Sequence, residues 1–380
     1  MSWIGGDMRL FMNGAQAIVK GAIDAGCDFF AGYPITPATD ILLNMANELP
    51  KAGGIVIQGE DEIASIGFCI GAAMAGRRVM TATSGPGISL YSENIGLAIM
   101  AEVPLVIVDV QRMGPATGGA TTVSQGDVQF LRWGTSGGYP VIVLAPTNVA
   151  ECYNFIRRAF DLAERFRSPV FLAADKETAL TMATVGIEEF KDIPVRQRSL
   201  APAGGDFIPY RFSPPEHVQA MSSFGGAHIL RFTGSSHDES GLLTKKALEV
   251  GNLNQHLAAK IEAYVDEISQ VDADLQPGAE TLILSYGITA RAADGAIRQV
   301  RQAGKRISGL KVYSLWPVPE REILQAVQEV KRIVVPELNL GQYRREIERL
   351  VKNGQEVIGV NRVDGELISP ADIIAGGGLQ

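Results

Sequence analysis

Residues 59–87, GEDEIASIGFCIGAAMAGRRVMTATSGPG, divide into an acidic triplet, a nearly uncharged helix, a short strand and a Gly-Pro-Gly turn. Between Ile63 and Ala101 the only charges are Arg77, Arg78 and Glu93, so this segment needs cover on most sides. Glu62 is the carboxylate nearest the apolar run. In a structural role, Glu60, Asp61 and Glu62 are first-turn acids favoured by the positive end of the helix dipole, worth about 0.3–1 kcal/mol each. In a chemical role, Glu62 points into a pocket and shares a proton with a heterocyclic nitrogen. The triplet alone leaves both roles open.

Outward from this stretch, the first 180 residues alternate helix and strand in the rhythm of a parallel α/β sheet. Asn13 caps a helix running to Ala25, followed by strand CDFFAGYP. Thr36-Pro37 opens a second helix, with Pro37 in its first turn. Strand GIVIQGE precedes the Glu62 helix. Strand RVMTAT ends at Ser84-Gly85-Pro86-Gly87, and PLVIVDV ends at Gln111-Arg112. Strand PVIVLAP, a helix from Val149 to Arg165 and strand PVFLAAD complete the unit. Strands of Val, Ile, Leu and Ala without alternation belong to a sheet covered on both faces. In open parallel sheets, ligands bind at the carboxyl ends of the strands. Tyr33-Pro34-Ile35-Thr36, Glu60–Glu62, Ser84–Gly87 and Arg112 all fall there, which makes one site of four segments. The loop Gly114–Asp127 beside them is long, small and polar, and reads as a substrate cover or a plain surface loop.

Residues 181–279 read as a linker or arm, broken by prolines and Gly204-Gly205 and followed by one helix over Leu243–Ile268. From Thr281 the α/β rhythm resumes with strands TLILSYG, LKVYSLWP and RIVVPE and a short strand near VIGV, giving a smaller unit over residues 280–380.

Across 380 residues, 46% are hydrophobic and 20% charged, ordinary for a globular protein. A net charge of −8 argues against nucleic acid as a partner. No apolar run approaches the ~20 residues needed to cross a bilayer. The N-terminal MSWIGGDMRLFMNG lacks a basic n-region and an apolar h-region, so a cytoplasmic location is expected. Cys27, Cys69 and Cys152 are far apart and read as buried small residues; the four histidines lie between His217 and His256 without metal-ligand spacing. No metal site is expected in this chain. Neither GxGxxG after a strand nor GxxxxGK[ST] is present, and Ser84 sits in TSGPG rather than in a GxSxG elbow.

Glu62 followed nine residues later by Gly71, then by a strand ending in TSGPG, resembles the pyrimidine-binding domain of thiamine-diphosphate enzymes. With GYPITPAT (32–39), PLVIVDVQR (104–112), GPATG…SQGD (114–127) and PELNLGQ (336–342), nearly the whole chain resembles the alpha subunit of 2-oxoacid:ferredoxin oxidoreductases, the 2-oxoglutarate branch above all. Residues 181–279 match least. The resemblance implies a pyrimidine-binding domain over 1–180 and a transketolase-C-terminal-like α/β domain over 280–380.

It also implies roles. Glu62 matches the glutamate that hydrogen-bonds the pyrimidine ring nitrogen of thiamine diphosphate, a contact that burial strengthens. Thr36 matches a threonine beside the thiazolium and substrate, whose hydroxyl can serve a developing oxyanion or, alternatively, cap a helix. Tyr33 and Ile35, in the same turn, fall on the cofactor-binding side. Arg112 matches the arginine that holds the 2-oxoacid carboxylate, for which a guanidinium offers a planar fork.

The implied reaction releases carbon dioxide from a 2-oxoacid, passes two electrons singly to an iron–sulfur relay, and transfers the acyl group to coenzyme A. The chain lacks cluster cysteines and a GDG-type magnesium–diphosphate motif. A beta subunit is therefore expected to supply Mg2+, the diphosphate site and a [4Fe-4S] cluster, with room for gamma and ferredoxin-like subunits. One departure bears on substrate: Gly119-Ala120-Thr121-Thr122-Val123-Ser124 carries no cation for a distal carboxylate, which keeps branched-chain and aryl 2-oxoacids open beside 2-oxoglutarate. A non-oxidative thiamine-diphosphate enzyme and a non-catalytic assembly subunit are the competing readings. The missing diphosphate motif speaks against the first, and the joint presence of Glu62, Thr36 and Arg112 against the second.

Overall fold

Alternate residues of the central strand Leu105–Gln111 enter different cores. Leu105 and Ile107 join one hydrophobic cluster, and Val106, Val108 and Val110 another. A strand buried on both faces needs this, and it sets the architecture: a seven-stranded sheet between two helix layers. In a computed structural model, which describes residues 9–351 and 354–380, the strand order is Ser314–Trp316, Ile142–Leu144, Pro169–Asp175, Leu105–Gln111, Val79–Thr83, Phe29–Gly32 and Ile55–Gln58. Residues 1–8, part of the N-terminal segment read above as lacking a leader, lie outside the described residues. Helices Gly14–Asp24, Thr39–Glu48 and Val149–Phe166 cover one face, and Glu62–Met74 and Ser92–Met100 the other.

A second sheet orders Glu356–Asn361, Arg332–Glu337, Thr281–Ser285, Ser308–Val312 and Val271–Asp274, the last antiparallel. Leu282, Leu284 and Leu310 of this sheet belong to the same apolar cluster as Ile66 and Ile107 of the first unit, so one core runs across both sheets.

The expected boundaries shift in several places. LKVYSLWP is two strands rather than one. Ser308–Val312 stays in the second sheet, while Ser314–Trp316 pairs antiparallel with Ile142–Leu144 in the first. Tyr313 makes the crossing, its N–H donating to Gln270 O at 3.0 Å and its carbonyl accepting from Ala145 N at 2.7 Å. The helix expected over 243–268 is Ala247–Glu262 followed by Val265–Ile268. Arg9–Met12 and Ala183–Gly186 form an unanticipated antiparallel ribbon, too short for a periodicity signal. Pro37 is not in the first turn of a helix: it lies in a turn after the cis Thr36-Pro37 peptide, ahead of helix Thr39–Glu48.

The arm is pinned by charge. Arg198 forks onto Glu164 with two bonds of 2.9 Å. Glu102, fully buried and at φ +53°, accepts from His256 Nε2 at 2.9 Å, Lys260 Nζ at 3.0 Å and Gln219 Nε2 at 2.9 Å. Burial works against its charge, but Lys260, Arg167 and His256 outweigh that and hold its carboxyl well below the ordinary 4.5.

Candidate active site

The two roles open to the acidic triplet separate in the structure. Asp61 is the N-cap of helix Glu62–Met74, its Oδ1 accepting from Ala64 N at 2.7 Å. That leaves Glu62, the first helical residue, free of capping duty. Only 7% exposed, it has no hydrogen bond or ion pair among the described residues. Gly87 closes over it: a Cβ at this position would come within 2.0 Å of Thr83 Oγ1 and 3.0 Å of Glu62 Oε1. The turn TSGPG thus requires glycine here so that the backbone can reach the carboxylate. Thr83 Oγ1, beside it, and Ser84 Oγ are buried without a hydrogen-bond partner among the described residues.

Arg112 is buried, not the surface residue its charge would suggest, and its Nη1 donates to the Thr36 carbonyl at 2.5 Å. This bond ties the end of strand Leu105–Gln111 to the turn after strand Phe29–Gly32. Arg112 Nε has no hydrogen-bond partner among the described residues. Gly85, at φ +47°, makes room for the guanidinium, since a Cβ there would lie 3.2 Å from Nε. The Thr36 side chain is exposed, and Ala38, not Thr36, occupies the N-cap of the following helix. Tyr33 and Ile35 are half-buried, with Ile35 packed on the core and its carbonyl accepting from Thr39 N at 2.9 Å. The structure therefore brings all five residues to one edge of the sheet.

Sequence reading missed the acids behind them. Asp109 lies within PLVIVDV, fully buried, and both of its carboxylate oxygens and Asp127 Oδ2 lack a hydrogen-bond partner among the described residues. Burial raises Asp109 well above the usual range, and the neighbouring Asp127 and Asp175 add to this, while the Gly85 N–H works the other way. Burial pushes Asp127 up to about 6, against the pull of Asp109 and Arg112. Asp175, at the end of the next strand, is pushed up to about 7 by burial although it accepts from Ile288 N at 2.6 Å. The available signal was a carboxylate inside a strand with both faces covered.

The loop before Asp127 is clamped rather than loose. Gln125 N donates to Leu338 O at 3.0 Å, Leu338 N to Gln125 Oε1 at 3.1 Å, and Asn339 Nδ2 to Gln125 O at 2.8 Å. Gln342 Nε2 donates to Gly126 O at 2.6 Å. PELNLGQ is therefore the clasp between the two units, with Glu337 accepting from Tyr286 Oη and Tyr343 N, each at 2.8 Å. Between the clasp and the TSGPG turn lies a cleft of about 460 Å³ whose lining includes Gly85, Met113, Asp127, Phe130, Leu340 and Gln342. Among the described residues, no lysine or arginine lines it.

The residues fit a thiamine-type pyrimidine. A buried, unpartnered carboxylate can accept from a ring nitrogen, a glycine keeps the space over it open, and unpartnered hydroxyls line the same wall.

Comparison with known proteins agrees with this geometry. Residues 20–253 match the thiamine-diphosphate-binding domain of pyruvate flavodoxin/ferredoxin oxidoreductases, and residues 279–373 match core domain II of pyruvate:ferredoxin oxidoreductase. The chain is 42% identical to 2-oxoglutarate synthase subunit KorA of Methanocaldococcus jannaschii, over 96% of this chain and 97% of that protein. It is 34% identical to ketoisovalerate oxidoreductase subunit VorB of Methanothermobacter thermautotrophicus, over 96% of this chain and 95% of that one. The 2-oxoglutarate:ferredoxin oxidoreductase from Magnetococcus marinus, solved with 2-oxoglutarate, coenzyme A and succinyl-CoA bound, superposes with a TM-score of 0.91 at 30% identity. That match covers 97% of this chain, which spans 64% of the solved one. With a buried glutamate under a glycine turn and a family match along most of its length, this chain belongs to the 2-oxoacid:ferredoxin oxidoreductases.

Proposed function

We propose that this chain is the alpha subunit of a coenzyme A-acylating 2-oxoglutarate:ferredoxin oxidoreductase, which converts 2-oxoglutarate to succinyl-CoA and passes electrons to ferredoxin or a similar acceptor. The observation that carries the reading is the pairing of Glu62, buried without a partner, with Arg112, tied to Thr36 on the same sheet edge.

Thiamine diphosphate, when bound, supplies the electron sink that loss of carbon dioxide from a 2-oxoacid requires. This chain's residues then have separate duties. Glu62 Oε1 and Oε2 hold or return a proton at the pyrimidine ring nitrogen. Tyr33 and Ile35 flank the cofactor. Arg112 Nε and its neighbouring nitrogens hold the substrate carboxylate, and the Thr36 hydroxyl donates to the oxygen on which charge develops. A beta subunit completes the site with Mg2+ and the diphosphate contacts and carries the [4Fe-4S] relay, with gamma and ferredoxin-like subunits as further partners. The division into 1–180, 181–279 and 280–380 follows the same reading, and such an assembly works in the cytoplasm.

The cleft has no lysine or arginine among the described residues that line it, and with its Met113, Phe130 and Leu340 this favours a second substrate reading, a branched-chain 2-oxoacid. Dye reduction by the chain co-expressed with its beta subunit separates the two. With thiamine diphosphate, magnesium and coenzyme A present, preference for 2-oxoglutarate over 2-oxoisovalerate, pyruvate and phenylglyoxylate supports the first reading. Preference for 2-oxoisovalerate replaces it with the second, and carbon dioxide release without dye reduction points to a non-oxidative enzyme.

A further inference from the structure

Four titratable side chains meet behind the TSGPG turn. Asp109 projects from the strand Leu105–Gln111, where it lies opposite Thr83 and Ala173 of the flanking strands. Asp127 closes the clamped loop and lines the cleft. Arg112 lowers the Asp127 pKa by its charge without an ion pair between them, its carbonyl lies 3.9 Å from where a Cβ on Gly126 would sit, and its Nε lies against Gly85, another residue of the cleft wall. Asp175 stands beyond Asp109, held by Ile288 N, Gln125 and Gln111.

The hydrogen bonding here is incomplete if both carboxyls are ionised. Asp109 Oδ1, Asp109 Oδ2 and Asp127 Oδ2 are buried and without a donor among the described residues. Two adjacent buried carboxylates cannot both carry charge cheaply, and a single proton between them removes one charge and supplies the missing donor. The pair then has a net charge of −1, which matches the +1 of Arg112. Arg112 is the cation whose charge acts on Asp127, and its Nε has no partner among the described residues.

We propose that Asp127, sharing one proton with Asp109, is the resting counter-charge of Arg112, and that the carboxylate of the incoming 2-oxoacid takes its place, drawing one proton from solvent into the acid pair. This rests on the assignment of Arg112 to the substrate carboxylate. Charge balances throughout: one cation faces one anion before binding, and afterwards Arg112 faces the substrate while both acids are protonated. Asp127 and Asp109 are positioning residues, acting through Arg112 rather than on the reacting atoms.

The sign of the pH effect follows. Above about pH 6, where Asp127 ionises, it competes with the substrate for Arg112, so the KM for the 2-oxoacid rises as pH increases. Once the proton must be taken up from solvent, the rise approaches tenfold per pH unit, about 1.4 kcal/mol at each step.

The test measures kcat and KM for 2-oxoglutarate and for coenzyme A between pH 5.5 and 8.5, in the complex with its partner subunits. Wild type is expected to show the rise in 2-oxoacid KM only. Asp127→Asn cannot ionise, so its KM is expected to be nearly flat with pH and about a hundredfold below wild type at pH 8. Asp109→Asn places a fixed donor beside Asp127, favours its ionised form and moves the inflection to lower pH. This second variant decides the matter if the first does not assemble. A purely structural role would lower kcat or assembly without moving the inflection, and normalised KM profiles that superimpose on wild type would overturn the proposal alone. Wild-type complex without turnover on any 2-oxoacid would overturn the functional reading and this proposal with it.

Discussion

Arg112 reaches the Thr36 carbonyl across 2.5 Å, so the residue at the end of one central strand is braced by the turn that follows another. The brace orients a guanidinium whose Nε has no partner among the described residues. Arg112→Ala is expected to raise the KM for the 2-oxoacid about 10- to 100-fold, the scale of losing hydrogen bonds to a charged group. The KM for coenzyme A should stay within about twofold. Arg112→Lys should recover only part, because an ammonium keeps the charge but not the fork. Equal rises in both KM values would mean that Arg112 does not bind the carboxylate.

Glu62→Gln keeps the shape of the side chain and removes its charge. Turnover of the assembled complex is expected to fall by at least ~10²-fold, the usual scale for a positioned acid–base group. Subunit assembly, followed by size-exclusion chromatography, should not change. Near-wild-type turnover would take Glu62 out of the chemistry.

Gly87 tests the cradle over Glu62. Gly87→Ala drives a Cβ into Thr83 Oγ1 and against the Glu62 carboxylate. A loss of about 1–3 kcal/mol, typical of overpacking, is expected in denaturant titration, together with weaker thiamine diphosphate binding. Adding Thr83→Ala removes the closest clash, so stability should return while cofactor binding stays weak. Recovery of both would show that the Glu62 contact is unimportant.

The buried cluster at Glu102 makes a stability prediction. Lys260→Met leaves the buried Glu102 charge undercompensated and should cost about 3–5 kcal/mol. With Glu102 held below its unfolded value of 4.5, its contribution is complete above that pH and is lost as the solution is acidified through the folded value. Glu102→Gln should therefore flatten the acid side of the Tm–pH curve below about pH 4.5. An unchanged slope would assign the acid sensitivity elsewhere.

Much of this molecule was legible from local chemistry. Strands of Val, Ile and Leu need two covered faces, so a parallel sheet with helices on both sides followed from their composition and the alternating helix–strand rhythm, and its carboxyl edge then gathered Thr36, Glu62, Ser84–Gly87 and Arg112. The family motifs supplied the cofactor. Residue identities determine these features because each depends on its own segment's burial and turn chemistry.

Other features required the chain to be assembled. Only the cap geometry shows that Asp61 takes the helix terminus and leaves Glu62 free. Only packing shows PELNLGQ gripping Gln125 and Gly126, more than two hundred residues away in sequence. The crossing of Ser314–Trp316 into the first sheet and the meeting of Asp109 with Asp127 and Arg112 are likewise invisible in any window of sequence. Hydrophobic periodicity reports which face of a segment is buried. Which buried segments face one another, and therefore which charges must share a proton or a partner, is decided by tertiary packing.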